Sequence, residues 1–175
     1  MSGERLPVHI DPIRLAETRR LLQGEVALAE MSRLVEALQD NDGNVSVSLE
    51  FGIDEEGIRV MRGRVQGEVT LLCQRCLEPM RQQIDSEFSL GLVRNETEAD
   101  ELPSYYEPLL LDGKPLFLRD VIEDEMLLAL PIVPRHPADE CEARLESSGT
   151  EKEQEDGKRD NPFAGLAGLK TDRKH

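Results

Sequence analysis

Apolar and polar residues alternate with a period of two through the middle of this chain and recur every three to four residues on either side of it. Val45, Val47, Leu49 and Phe51 fall on one side of an extended segment, with Ser46, Ser48 and Glu50 on the other, as in a half-buried antiparallel strand. Asp54-Glu55-Glu56-Gly57 turns the chain back. Residues 58–72 then read as one long strand, bent at Gly63 or Gly67 because glycine inside a strand commonly marks a bulge. A Cys-x2-Cys turn ends it, and residues 80–93 return with Ile84, Phe88, Leu90 and Leu92.

Before this hairpin, residues 6–10 alternate briefly, and Asp11-Pro12 reads as an N-cap with proline at the first helical position. The pattern predicts a helix over 12–21, broken at Gln23-Gly24, a short run at 25–28, and a second helical segment to residue 38 with Met31, Leu34, Val35 and Leu38 on one face. Asn41-Asp42-Gly43-Asn44 is a turn. After the hairpin come an acidic loop at 96–101 and an irregular Tyr105-Tyr106-Glu107-Pro108 stretch. The strongest helix signal spans 116–130, where Leu118, Val121, Ile122, Glu125, Met126 and Ala129 recur at helical spacing until Pro131 ends the run. Residues 131–137 form a stiff extended arm that carries His136 back across the body.

Residues 142–160 are charged and lack aromatics, which predicts a disordered acidic linker. An apolar island follows. Asn161 can cap a turn with Pro162 in the first helical position, and Phe163, Leu166 and Leu169 then form one stripe, with Lys170, Arg173 and Lys174 beyond. Ten residues are too few for an independent helix, so the stripe needs a groove on its own domain or on a partner. The expected class is α+β: a mostly antiparallel bent sheet with two to three helices in a single domain over 1–141, the linker 142–160, and an apolar and basic motif over 161–175.

Composition narrows the role. The 175 residues carry 21 Lys plus Arg against 36 Asp plus Glu, a formal charge of −15. Such a field repels phosphate backbones and anionic lipid, so a direct RNA contact needs a local exception. No apolar run reaches membrane-spanning length, the N-terminus lacks a signal-peptide pattern, and three cysteines form an odd number, which together point to the cytoplasm.

Four of the six cysteines and histidines fall into one split constellation: Cys73 and Cys76, then His136 and Cys141. Zinc favours thiolate and imidazole in a tetrahedral set of four, and a Cys-x2-Cys pair on a turn presents two sulfurs to one ion. The residues alone also admit thiols that merely pack, and a redox pair, although Glu78-Pro79 and a second alternating run follow where a thioredoxin-like motif would open a helix.

Arg59, Arg62, Arg64, Arg75 and Arg81 form the main basic cluster. Arg62 and Arg64 share a strand face, with Arg59 opposite unless a bulge intervenes, and the set is open to phosphate contact or to balancing an acidic domain's own field. Base-stacking aromatics are not interleaved among them. Asp120, Glu123, Asp124 and Glu125 on one helix read as a solvated face before an acid/base site. No Gly-rich phosphate loop, nucleophile elbow or Ser/His/Asp set is present, so the chain reads as a non-enzyme.

With these residues laid out, the chain resembles the large ribosomal RNA subunit accumulation protein family. The resemblance is carried by Asp11-Pro12, Leu71-Leu72-Cys73-Gln74-Arg75-Cys76, Leu102-Pro103, Tyr106-Glu107-Pro108, Val121-Ile122-Glu123-Asp124-Glu125, Leu128-Ala129-Leu130-Pro131, Pro134-x-His136, Cys141 and Asn161-Pro162-Phe163-Ala164 with Leu166, Leu169 and Lys170. It implies a role in synthesis, processing or assembly of large-subunit ribosomal RNA and supplies no catalytic residues. The expected partner is a ribosomal RNA precursor or its protein complex, reached through a basic protein. The competing expectations are a zinc-binding adaptor for a ribosomal protein or the transcription machinery, and an RNA-processing enzyme. If RNA is touched directly, Arg62, Arg64, Arg75 and Arg81 are the expected contacts.

Overall fold

The computed structural model describes residues 5–141. The acidic linker at 142–160 and the motif with Phe163, Leu166 and Leu169 lie outside the described residues. The described chain is α+β and mostly antiparallel. In order it holds β1 (His9–Ile10), α1 (Pro12–Glu17), β2 (Leu21–Ala27), a 3₁₀ turn (Leu28–Glu30), α2 (Ser32–Val35), β3 (Asn44–Ile53), β4 (Arg59–Leu72), β5 (Pro79–Val93), α3 (Glu96–Asp100), β6 (Glu107–Leu110), β7 (Leu116–Phe117) and α4 (Leu118–Ala129).

The sheet order is β2-β3-β4-β5-β6, with β6 joined to β5 in parallel, while β1 and β7 form a separate two-stranded pair. Period-two alternation decides its two faces. Val45, Val47, Leu49, Phe51, Met61, Val65, Val69, Ile84, Phe88 and Leu90 point inward, and α4 covers them with Leu118, Val121, Ile122 and Met126. The outer face carries Ser46, Arg62, Arg64, Gln66, Arg81, Asp85 and Glu87 and stays wet. At one end α3 lies against β5 and β6, and Leu102 packs over Gly91, where an added Cβ would sit 2.7 Å from the leucine's Cδ1.

The expected bulges are absent from the long hairpin. The ladder runs unbroken from Val60↔Gly91 to Leu72↔Pro79, and β3 pairs with β4 just as regularly from Ser46↔Gln66 to Ile53↔Arg59. Gly63 is required for another reason: it pairs with Phe88, whose ring lies over it, and a Cβ there would fall 2.0 Å from the ring's Cζ. With no bulge to reset the register, Arg59 lies on the face opposite Arg62 and Arg64 and reaches Glu17 of α1 at 3.3 Å.

Five local expectations change. The first helix ends at Glu17 rather than residue 21, because Thr18 caps it, Arg19 takes a positive φ of 48°, and the next residues pair with β3 as the edge strand β2. Cross-strand pairing outside the local window overrides the break read at Gln23-Gly24. The second helical segment divides at Met31, although Met31, Leu34 and Leu38 are buried as the spacing implied. The 96–101 loop contains helix α3, its Asn95 side chain accepting from Glu98 N at 2.9 Å, and the irregular stretch contains β6. The 116–130 signal begins as a strand, with Leu116 and Phe117 paired to β1 before α4 starts.

The carboxylates of α4 are not simply a solvated face. Glu123 and Glu125 are buried, at 3% and 7% exposure. Glu123 accepts from Arg33 N at 2.6 Å and Leu34 N at 3.0 Å, capping α2 from another helix, and pairs with the Arg33 guanidinium at 2.9 Å. Burial alone would push its carboxyl up. The Leu34 N–H, the Arg33 side chain and the Arg33 N–H outweigh that and hold it below its ordinary value of 4.5.

Two outcomes are expected. Gly63→Ala should lower unfolding free energy in urea by about 1–3 kcal/mol through overpacking against Phe88, and a Phe88→Leu background should shrink that increment because the two sites share one contact. Glu123→Gln should cost about 2 kcal/mol at neutral pH, the worth of hydrogen bonds to a buried charge. The Glu123 contribution is complete above the ordinary carboxylate value and is lost as pH falls through the depressed folded value. The variant should therefore lose less stability than the parent in acid melts between about pH 5 and 3.

Candidate metal centre

The tip of the β4–β5 hairpin is built to present two sulfurs. Cys73 N donates to Glu78 O at 3.0 Å and Leu77 N to Cys73 O at 2.9 Å, while Leu77 takes the left-handed conformation at φ 61° to close the turn. The arm after α4 is fastened beside it, with Gln74 N donating to Pro134 O at 2.8 Å. This backbone contact delivers His136 and Cys141 to the cysteine turn.

All four predicted ligands converge. One donor atom from each of Cys73, Cys76, His136 and Cys141 lies within 4.8 Å of the others, so the group could hold a metal ion. The Cys73 and Cys141 sulfurs are 4.0 Å apart, and Cys76 Sγ lies 3.3 Å from His136 Nδ1. A tetrahedral site with metal–sulfur bonds near 2.3 Å places its sulfurs about 3.8 Å apart, so the set needs little adjustment. Cys73 is fully buried and the other three are partly exposed.

The electrostatics favour a thiolate at Cys73 and oppose one at Cys76. Burial pushes the Cys73 thiol up, but N–H groups of Cys76, His136 and Arg75 directed at its sulfur prevail and bring it down to about 5. Glu78 N–H supports the Cys76 sulfur, but burial and the neighbouring Cys73 and Cys141 sulfurs push that thiol up, as crowded anions must. Hydrogen bonding to Cys73 raises His136, against the effect of its burial. Bringing these like-charged sulfurs together without a cation is unfavourable.

Arg75 belongs to this centre. Its Nε donates to Cys141 Sγ at 2.9 Å and its Nη2 to the carbonyls of His136 and Pro137 at 3.1 and 3.2 Å. It fixes the arm and offsets the excess negative charge that three thiolates would leave around a divalent ion. Its spacing between the two cysteines was the available signal.

The other arginines do not join it. On the outer face Arg62 donates to Tyr106 Oη at 2.9 Å, Arg64 holds Asp85 through two bonds of 2.7 Å, and Arg81 meets Glu68 at 3.4 Å. Each therefore has a partner within the domain, and the row balances local acid charge.

Cobalt(II) added to purified full-length protein should give the intense visible bands of a tetrahedral thiolate site. Arg75→Gln should weaken metal affinity by about 10- to 100-fold, as removal of a ligand-orienting partner does. Competition with a chromophoric chelator measures it, and unchanged affinity would show that Arg75 does not support the ligands.

The model of the family described as "Large ribosomal RNA subunit accumulation protein YceD" matches residues 61–170, a span that includes all four convergent ligands. A similar curated protein, "Large ribosomal RNA subunit accumulation protein YceD" of Haemophilus influenzae (strain ATCC 51907 / DSM 11121 / KW20 / Rd), is 39% identical over 174 residues, covering 97% of this chain and 99% of the relative. No solved structure matches. From the Cys-x2-Cys turn to the apolar motif that the matched span contains, the chain belongs to the large ribosomal RNA subunit accumulation protein YceD family.

Proposed function

We propose that this protein is a non-enzymatic, cytoplasmic factor needed for large-subunit ribosomal RNA to accumulate, and that the four-ligand centre binds zinc as a structural ion. Family membership and near-full-length similarity to a relative with that printed role support the first part. The convergence of Cys73, Cys76, His136 and Cys141 carries the second. Three sulfurs and one imidazole suit Zn²⁺, and four protein donors fill its tetrahedral shell, leaving no position for an activated water. Zinc bound there ties the hairpin tip to the arm after α4.

The partner is a basic protein of the assembling ribosomal particle. A formal charge of −15 disfavours wrapping bare RNA, and the hairpin arginines that would make a local exception already have partners in the domain. An acidic surface speeds association with a basic protein and loses that advantage as salt rises. Among the described residues no helix is long and apolar enough to cross a membrane.

Elemental analysis of purified full-length protein should find one zinc per chain, and chelation should lower the melting temperature because metal binding is coupled to folding. In a strain lacking the gene, the parent should restore large-subunit RNA, and a Cys73→Ser/Cys76→Ser variant should fail to do so. Full restoration by that variant, at equal protein level and without bound zinc, would overturn the role given to the centre.

A further inference from the structure

At the edge of the sheet, between α4 and β6, a cleft of about 410 Å³ is lined by Glu87, Tyr105, Glu107, Glu125, Leu128 and three serines. Its charged groups are all acidic, contributed by β5, β6 and α4. Glu125 is more than nine-tenths buried, yet it makes no hydrogen bond or ion pair within the described residues. Glu123, two residues earlier on the same helix, shows how this fold treats a buried carboxylate that it uses for itself, with two backbone donors and a guanidinium. Glu125 receives none of these and lines the cleft instead.

We propose that this cleft is a docking pocket for an arginine or lysine side chain presented by a basic protein partner, with Glu125 and Glu107 as its counter-ions. The walls suit such a side chain. Tyr105 and Leu128, 59% and 73% exposed, flank the acidic floor and offer apolar surface to a methylene stem and an aromatic face to a guanidinium. Tyr105 is held in place, its hydroxyl donating to Glu56 at 3.2 Å and its ring set edge-on to Tyr106 at 4.7 Å. The serine hydroxyls can accept the remaining donors.

A small metal ion fits less well. Among the described residues the cysteine–histidine set alone brings three or more candidate ligand atoms together, so the cleft's carboxylates do not converge as a compact cation requires. A guanidinium spreads its charge and donors over a larger span. Burial pushes the Glu125 carboxyl up to about 7, with Glu107 and then Asp124 adding to the rise, so an opposing cation would favour its charged form. A carboxyl raised in this way weakens the fold as pH rises from the ordinary 4.5 through 7, a cost that a bound cation would relieve.

The pocket deepens the reading of a basic protein partner and rests on it, but its test uses purified protein and stands apart from restoration of ribosomal RNA. The probe is a capped tri-arginine amide titrated into full-length protein at low salt. Glu107→Gln/Glu125→Gln should weaken binding by about tenfold or more, whereas Glu36→Gln, which removes a charge that does not line the cleft, should change it less than about twofold. Glu125→Gln should also raise the melting temperature at about pH 8, which separates a lost contact from a damaged fold. Equal weakening by Glu36→Gln would mean diffuse attraction to an acidic protein and would overturn the pocket. So would unchanged affinity in the double variant, displacement of the probe by millimolar Mg²⁺ that depends on Glu125, or a parent dimer that the double variant splits, since those results assign the cleft to nothing, to a metal ion or to a second copy.

Discussion

The unbroken register of the β4–β5 hairpin is the constraint on which the rest of the molecule depends. Because side chains alternate strictly, pairing from Val60↔Gly91 to Leu72↔Pro79 fixes at once which residues face α4 and which face water. A slip of one residue would bring Arg62 and Arg64 into the core and turn Met61 and Val65 outward. The close approach of Phe88 to Gly63 guards against that slip, since no other residue leaves room for the ring. The same ladder delivers Cys73 and Cys76 to its tip, so the candidate metal centre inherits its position from the core's packing.

Two further polar joints hold the fold, one between α4 and α2 and one between the hairpin tip and the arm after α4, and both use groups that would be costly if left alone. Glu123 reaches from α4 to the N-terminus of α2, joining segments ninety positions apart in sequence through buried hydrogen bonds. At the other end Gln74 and Arg75 bind the backbone after α4 and hold His136 and Cys141 beside the paired cysteines. The helix is thus anchored at its middle by a carboxylate and beyond its C-terminus by the ligand cluster. A metal at that cluster would stiffen the second anchor and leave the first untouched.

The acid groups divide by what surrounds them. Outer-face Asp85 and Glu68 are consumed by arginines, and Glu123 is consumed by α2. Glu125 and Glu107 remain unmatched in a cleft bordered by exposed Tyr105 and Leu128. Overall charge alone does not distinguish these cases, because a solvated carboxylate and a buried one count equally in composition while differing greatly in energy.

Much of this protein was legible in order of residues. Period-two alternation gave the two long strands and their buried sides, the run read over 116–130 gave α4 apart from its first two residues, and the scarcity of cysteine and histidine singled out the four candidate ligands before any geometry was known. Those signals are local or compositional, so a linear reading can hold them. The family resemblance rested on the same ordered segments. What the tertiary structure decided was set by partners far away in sequence. Leu21–Ala27 is a strand because β3 offers its edge, and Glu107–Leu110 because β5 does; neither is long or regular enough to declare itself. Gly63 sits in an unbroken ladder where its type suggested a bulge, because the reason for it, the ring of Phe88, sits on the neighbouring strand. Four acidic residues on α4 look alike in sequence, yet packing buries Glu123 against donors and Glu125 without them. Arg75 likewise reads as surface charge until the fold brings Cys141 to its guanidinium.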